Sequence, residues 1–341
     1  MRIWLACIGF LVAAMIIVGG ATRLTDSGLS ITEWQLIAGF IPPLNEFQWL
    51  EAFEKYKQIP EFAIINPDMT LSGFKFIYWW EWAHRFLGRF VGIVFVVPYL
   101  TFLLKGLIGP ALNRRLIFIL ALGGLQGALG WYMVSSGLVD RVDVSQYRLA
   151  AHLGLAFLIL AVISWTFMSL SSIAASAPDR AGCRGAAALT VLVGVQIILG
   201  AFVAGTDAGL SHNSWPLMDG KLVPGDLFVM NPWWLNLFEN VRTIQFHHRV
   251  VAYVLLITAI WHTARLLRTK SKAVNTSLPL AGIILFQGVI GVWTLILVVP
   301  LGLGLLHQMI AILVLLAAMK HLHGFFGYRE SARFQTANLS A

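Results

Sequence analysis

A run of 47 residues, 273–319, contains no Lys, Arg, Asp or Glu. At about 1.5 Å of rise per helical residue, this run is far too long for one crossing of a bilayer, which takes about 20 apolar residues. Pro300, Gly302 and Gly304 interrupt the run and favour a turn. The run therefore predicts two consecutive membrane-spanning helices that fold back near Pro300.

Six further apolar runs have the length of a membrane span. With the two above, the predicted spans are 3–22, 77–104, 116–137, 149–171, 185–205, 243–264, 277–298 and 301–320. The chain is 58% hydrophobic and 12% charged, about half the charged fraction of soluble domains. We therefore predict an all-α integral membrane protein with eight transmembrane helices.

Charge assigns the sides of the membrane. With the N-terminus inside, the inner segments hold thirteen Lys and Arg residues, opposed by Asp179 and Glu330. Because cytoplasmic loops are enriched in basic residues, both termini are predicted to be cytoplasmic. The same loops account for the net charge of +8, so no nucleic-acid partner is expected. The first span lacks a cleavage site and no transit segment precedes it, which favours a bacterial inner membrane.

The two halves of the chain repeat one another. TDSGLSITEW at 25–34 matches TDAGLSHNSW at 206–215 in six of ten positions, and QGALG at 126–130 aligns with QGVIG at 287–291. Each half spans four times, so the repeat predicts two pseudo-symmetric four-helix bundles related by an axis along the membrane normal.

The repeat also sets the domain boundaries. Residues 1–172 form the first half, residues 183–325 the second, and residues 326–341 a cytoplasmic tail. The long loop 23–75 is predicted to be external, and its aromatic residues suggest packing, among them Trp34, Phe47, Trp49, Phe53, Tyr56 and Phe62. Its length predicts a lid of short helices over the first half.

Four histidines lie at corresponding places in the two halves, near the outer ends of the even-numbered spans. They are His84, His152, His248 and His307. Ionisable residues within membrane spans are costly and mostly functional. In a four-helix bundle, helices two apart in sequence lie diagonally, so each pair could face across a core and hold the two axial positions of a haem. A single histidine of this kind is more often an interfacial residue; four duplicated ones favour ligation.

Glycines near these histidines could admit the edge of a macrocycle. They are Gly88, Gly92, Gly127, Gly130, Gly154, Gly288 and Gly291. The remaining histidines are treated differently. His247 points away from the bundle beside His248, whereas His262, His321 and His323 are predicted to be interfacial on the cytoplasmic side. The external His212 has no counterpart in the first repeat and is left unassigned.

Glu81 breaks the symmetry of the repeat. It precedes His84 by three residues and shares its helix face, while Gln245 occupies the equivalent position in the second half. A carboxylate there could perform acid–base chemistry, or it could be an interfacial ion pair with a nearby arginine. Arg85 and Arg249 each follow a histidine, where they could bind haem propionates or snorkel to the interface.

Motifs along nearly the whole chain resemble the haem A synthase family. They are GGATRLTDSGLSITEW (19–34), EWAHRFLGR (81–89), QGALGWYMVSSGL (126–138), AAHLGLA (150–156), TDAGLSHNSWPLMDG (206–220), QFHHR (245–249) and LLHQM (305–309). Loop 23–75 contains no Cys. The chain therefore resembles the cysteine-free alphaproteobacterial and mitochondrial type of this family.

The resemblance implies an activity and a division of labour. The chain would oxidise the C8 methyl of haem O to a formyl group, by two hydroxylations and loss of water, to give haem A for cytochrome oxidase. His248 and His307 would ligate a resident haem b, and His84 and His152 the iron of the substrate haem, with Glu81 in the reacting half. Haem O would come from the haem O synthase, a farnesyltransferase, and a redox partner is required. A homo-oligomer is possible.

Two other functions stay open on the residues themselves. A di-haem cytochrome b-like quinone oxidoreductase would hold two equivalent, permanent haems and would have no need of Glu81. A haem transporter or chaperone would place its histidines at staggered depths, whereas these four all lie near the outer side.

Overall fold

The computed structural model describes residues 1–35, 38–138, 142–170 and 179–339, and the side chains of these residues except Ala38 and 327–339. Within these ranges the chain is helical, and its β pairing is one isolated bridge between Met218 and Lys221. The ten α-helices are α1 (Arg2–Leu24), α2 (Glu46–Tyr56), α3 (Pro60–Ile64), α4 (Leu71–Leu104), α5 (Pro110–Val134), α6 (Gln146–Ser169), α7 (Arg180–Gly205), α8 (Val241–Arg268), α9 (Val274–Ile296) and α10 (Leu301–Leu339).

Eight of the described helices are long and apolar enough to cross a membrane, as predicted. They are α1 and α4–α10, and α9 and α10 are separated at the predicted fold-back. The largest difference in boundary is at the end of α10, which continues to Leu339 rather than ending at 320. α4 and α5 begin earlier than predicted, at Leu71 and Pro110 rather than at 77 and 116. The chain is thus a multi-pass membrane protein.

Local sequence explains where several helices begin. Asn45 caps α2 by accepting from Gln48 N at 2.9 Å, and Asp179 caps α7 by accepting from Gly182 N at 2.9 Å. Asn240 caps α8 by accepting from Arg242 N at 3.0 Å. These side-chain acceptors satisfy backbone N–H groups that have no partner within the helix.

Helix contacts follow the same order in both halves. In the first half α1 contacts α4 and α6, and α5 contacts α4 and α6; in the second, α7 contacts α8 and α10, and α9 contacts α8 and α10. α4 and α6 are therefore diagonal, as are α8 and α10. This pattern is compatible with the predicted pair of four-helix bundles. The end of the first half at 172 lies outside the described residues.

The halves meet through α1, α6, α7 and α10, which share one apolar core. Since lipid is as apolar as this core, close packing and hydrogen bonds hold the helices together. Gln308 of α10 lies against Gly20 of α1, where any Cβ would clash with its side chain, and donates to Ile16 O at 2.7 Å. A glycine therefore permits this contact between halves.

Arg23 joins the halves at the outer end of α1. Its guanidinium pairs with Asp26 at 2.9 Å, with Asp143 at 2.8 Å and with Asp207 at 2.9 Å. Asp26 and Asp207 are equivalent in the repeat, and both have positive φ, 48° and 51°. One cation thus holds the same turn of both repeats.

Loop 23–75 packs on the outer part of the first half. Trp49, Phe53 and Tyr56 of α2 are buried in a cluster with Phe74 of α4, which confirms a packed element of short helices. The prediction was wrong for Trp34 and Phe47, which are exposed. Phe53 and Phe74 stack with ring centroids 5.0 Å apart.

The lid contains one buried carboxyl group, Glu61 of α3. Its Oε1 accepts from Tyr56 Oη at 3.1 Å. Burial raises the pKa of Glu61 to about 8, and the charges of Glu81, Asp26 and Asp143 raise the pKa further, while the bond from Tyr56 lowers it. Glu61 is therefore largely protonated at neutral pH.

Candidate functional site

Each of the four paired histidines lies against a glycine of the preceding span. A Cβ built on Gly130 would lie 3.0 Å from His152 Cε1, and one on Gly291 would lie 2.8 Å from His307 Cε1. The corresponding distances are 3.2 Å from Gly19 to His84 Nε2 and 3.3 Å from Gly200 to His248 Cε1. The contacts between α1 and α4 and between α5 and α6 recur in the second half between α7 and α8 and between α9 and α10. In each case a glycine makes room for the histidine ring.

The four histidines are half-buried among the helices, so each keeps some accessible surface. His84 lies near His152, and His248 lies near His307 in the same way. The structure thus brings the predicted residues together in two pairs, one on α4 and α6 and the other on α8 and α10.

The other predicted glycines have varied surroundings. Cβ atoms built on Gly92, Gly127 and Gly288 would meet nothing within 4 Å. Gly88 instead faces Met15 Cε, and Gly154 faces Ile198 Cδ1 of α7. These last two glycines bring helices together at the points where they stand.

A glutamine amide covers three of the four rings. Gln196 Nε2 lies 3.1 Å from His248 Nδ1 and 3.2 Å from its Nε2, and donates to His248 O at 3.0 Å. Gln126 makes the same three contacts with His152, and Gln287 contacts His307 Nε2 and O. Because the lone pairs of the two ring nitrogens diverge in the ring plane, an amide nearly equidistant from both lies over the ring face. It leaves those lone pairs available.

Glu81 anchors the external loop to α4. Its carboxylate is buried, accepts from Ser30 Oγ at 2.8 Å and Ile31 N at 2.6 Å, and pairs with Arg85. Arg85 also donates to Ile31 O at 2.7 Å and Glu33 O at 2.8 Å. The carboxylate is thus fixed by three donors beside the first histidine of the first half.

The second half repeats this anchor with a neutral side chain. Gln245 donates to Ala208 O at 2.6 Å and to Ser211 O, and its Oε1 accepts from Arg249 at 2.8 Å. Arg249 donates to His212 O at 2.8 Å and Ser214 O at 2.9 Å. The loop of the second half therefore presents hydrogen-bond acceptors to Gln245, whereas the loop of the first half presents donors to Glu81.

The comparisons with known proteins agree with this duplicated plan. The sequence model of the COX15-CtaA family, described as cytochrome oxidase assembly protein, matches residues 2–319. The chain belongs to this family. It is 49% identical over 329 residues to the heme A synthase of Sinorhizobium medicae, which covers 96% of this chain and 90% of that protein. The resemblance to the haem A synthase family is thereby confirmed.

Other relatives in the family give the same result. The heme A synthase of Agrobacterium fabrum is 49% identical over 330 residues, covering 96% of this chain and 90% of its own. The heme A synthase of Bradyrhizobium diazoefficiens is 50% identical over 321 residues, which cover 93% of this chain and 89% of that protein. The similarity therefore extends through both halves of the chain.

The residues present fit haem. A ligating histidine uses one ring nitrogen for the metal and donates its other N–H to a nearby acceptor. Gln126 Oε1, Gln196 Oε1 and Gln287 Oε1 are all buried without a hydrogen-bond partner among the described residues. Each leaves a buried acceptor near the histidine that its amide contacts. With paired imidazoles that lie against glycines, this donor set suits a bis-histidine haem in each half.

The predictions for the remaining histidines need correction. His262, His321 and His323 are buried rather than interfacial. His262 Nε2 lies 2.9 Å from His321 Nε2, and His321 Nδ1 lies 2.8 Å from Thr276 Oγ1. These bonds tie α8, α9 and α10 together near the C-terminal end of α8. His212, to which the sequence assigned no role, bonds to Asp219 within the segment that joins α7 to α8.

Sequence reasoning missed Gly19, Gly200 and Gln196. The repeat contains the signal, because the offset that aligns 25–34 with 206–215 also aligns Gly19 with Gly200. The same offset aligns Met15 of the first half with Gln196 of the second.

Proposed function

We propose that the chain is a haem A synthase, a membrane oxidoreductase that oxidises the C8 methyl of haem O to the formyl group of haem A. One observation carries the proposal: two duplicated bis-histidine pockets lie in a chain 49% identical to a curated heme A synthase over nearly its whole length. The asymmetry between Glu81 and Gln245 supports one reacting half and one resident half. Two equivalent, permanent haems would not need this difference.

In this proposal the second half holds a resident haem b through His248 and His307. The first half holds the iron of haem O through His84 and His152. Bound haem supplies the redox chemistry, and the protein supplies ligation, orientation and charge. The paired, glycine-backed rings support both assignments because each half carries two imidazoles on diagonal helices, α4 and α6 or α8 and α10.

Glu81 would act on the reacting methyl group of haem O. Oxidation of this methyl group releases protons, which a carboxylate can accept. It also develops positive charge, which a carboxylate can stabilise. The three donors to Glu81 hold the carboxylate in one orientation and keep it away from bulk water. This geometry supports a fixed base within the first half.

Arg85 and Arg249 would complete the outer edge of each pocket. Both guanidinium groups hold loop backbone, and the Nε of Arg249 is buried with no partner among the described residues. A haem propionate is an acceptor that suits this donor. The second-half pocket therefore has a free donor where a propionate would lie.

The partners follow from the chemistry. Haem O would arrive from the farnesyltransferase that makes it, and an unidentified redox partner would take up or supply electrons. The inner membrane of a bacterium, with both termini cytoplasmic, fits the charge distribution of the loops.

Expression in cells that make haem O but lack haem A tests the proposal. Extracted haems are separated by chromatography, and a vector without the gene is the control. Appearance of haem A supports the proposal. Unchanged haem O with two stable haem b groups in the protein would indicate an electron carrier instead, and haem O merely moved across the membrane would indicate a transporter.

A further inference from the structure

One of the four paired histidines has no glutamine over its ring. His152, His248 and His307 are covered by Gln126, Gln196 and Gln287. The residue equivalent to Gln196 in the first half is Met15, four residues before Gly19, just as Gln196 is four residues before Gly200. His84 therefore has a thioether where its counterpart has an amide.

The space around Met15 is adapted to this difference. A Cβ on Gly88, one helical turn after His84, would lie 2.8 Å from Met15 Cε. The equivalent residue in the second half is Ala252, which carries that Cβ. The His84 ring is also turned differently, because it presents Nε2 to Gly19 whereas the other three rings present Cε1 to their glycines.

The amide has two uses that a thioether lacks. Each glutamine donates to the backbone carbonyl of its histidine, at 3.0 to 3.1 Å, and has a buried oxygen with no other described partner. It can thus hold the backbone of its histidine and cover the ring face. Outer partners of this kind typically change metal affinity by 10- to 100-fold. Methionine offers no N–H donor and a weak acceptor.

We propose that Met15 makes His84 the exchangeable ligand of the first-half haem, while glutamines fix the other three ligands. This rests on the proposed function, in which haem O must enter and haem A must leave at every turnover. The second half, with a glutamine on both histidines, retains its haem. Met15 is a positioning residue that acts through His84.

Haem release from the purified, full-length protein in detergent tests this assignment. The protein is loaded with haem O, excess apomyoglobin is added as acceptor, and released haem O and haem b are distinguished by chromatography. Met15→Gln should slow haem O release about tenfold and strengthen the low-spin spectrum. Met15→Leu, which supplies no amide, should release haem O as the unaltered protein does.

The reciprocal change tests the same idea in the other half. Gln196→Met should speed haem b release by about tenfold. Equal haem O release from Met15→Gln and the unaltered protein would overturn the proposal. If Met15→Gln fails to fold, unchanged haem b retention in Gln196→Met would overturn it as well. Failure of the unaltered protein to make haem A would refute the proposed function but leave these release rates interpretable.

Discussion

Replacing Glu81 by Gln removes a buried negative charge with little change in side-chain size. Glu81 accepts from Ser30 Oγ, Ile31 N and Arg85, and the Ile31 N–H would face the new amide N–H or lose a charged acceptor. Removing one member of a buried ion pair costs about 3–5 kcal/mol. We expect that cost to loosen the turn at 30–33 locally, because the second-half pocket shares none of these bonds.

The chemical effect of Glu81→Gln should exceed the structural one. Losing a general acid–base group lowers rates by about 10²- to 10⁴-fold, so haem A should fall at least about 10²-fold while haem b stays. The assay is chromatography of cellular haems, with the haem b spectrum of the purified protein as a folding control. Haem O or a partly oxidised form should accumulate.

A matched variant separates anchoring from chemistry. Ser30→Ala removes one of the three donors to Glu81 but keeps the charge and the bond from Arg85. It should cost about 1.5–3 kcal/mol locally and leave haem A within a few-fold of normal. Near-normal haem A in cells carrying Glu81→Gln would refute the reasoning and leave Glu81 as a buried anchor for the external loop.

Four further variants test other parts of the structure. His248→Ala and His307→Ala should each remove the low-spin haem b spectrum of the purified protein; an unchanged spectrum in both would disprove their assignment. The pKa of Glu61 is raised in the folded lid, so the stability that this buried carboxyl group contributes to the lid is lost as the pH rises from about 4.5 to about 8. Limited proteolysis of the lid should accelerate over that range and then level off, and Glu61→Gln should flatten the profile; equal pH dependence in both would contradict this. Arg23→Gln leaves Asp26, Asp143 and Asp207 without their shared cation and should lower the free energy of unfolding by roughly 1–3 kcal/mol, since partly exposed pairs contribute up to about 1 kcal/mol each. Thermal melts of the purified protein measure this, and an unchanged midpoint would count against the network.

The sequence was sufficient to predict the membrane-spanning part of the fold. Runs without charge have one stable solution in lipid, a helix that satisfies its own backbone. Pro300 then separates α9, which ends at Ile296, from α10, which begins at Leu301. Helix ends outside the membrane were less predictable, because α4 continues outward to Leu71 through residues that pack on the lid.

Depth along a helix did not predict burial. His262, His321 and His323 lie near the ends of predicted spans, which suggested positions at the membrane interface. Their burial depends on helix rotation and on neighbours such as Gly185, whose missing side chain makes room for the His262 ring. Neither is visible in a hydropathy pattern.

The candidate site was predictable where the repeat acted as an internal comparison. It identified the paired histidines and the difference between Glu81 and Gln245. It could not show that Glu81 points to Ser30 and Ile31, because that contact joins residues about fifty positions apart through the fold of the external loop.

The central claim is that the two halves hold haems of different duty, and the haem inventory of the purified protein tests it most directly. Haems are extracted after extended washing with apomyoglobin and identified by chromatography. The account predicts about one retained haem b per chain, with haem O and haem A recovered in the acceptor. Two equally retained haem b groups, and no haem O or haem A in either fraction, would contradict it.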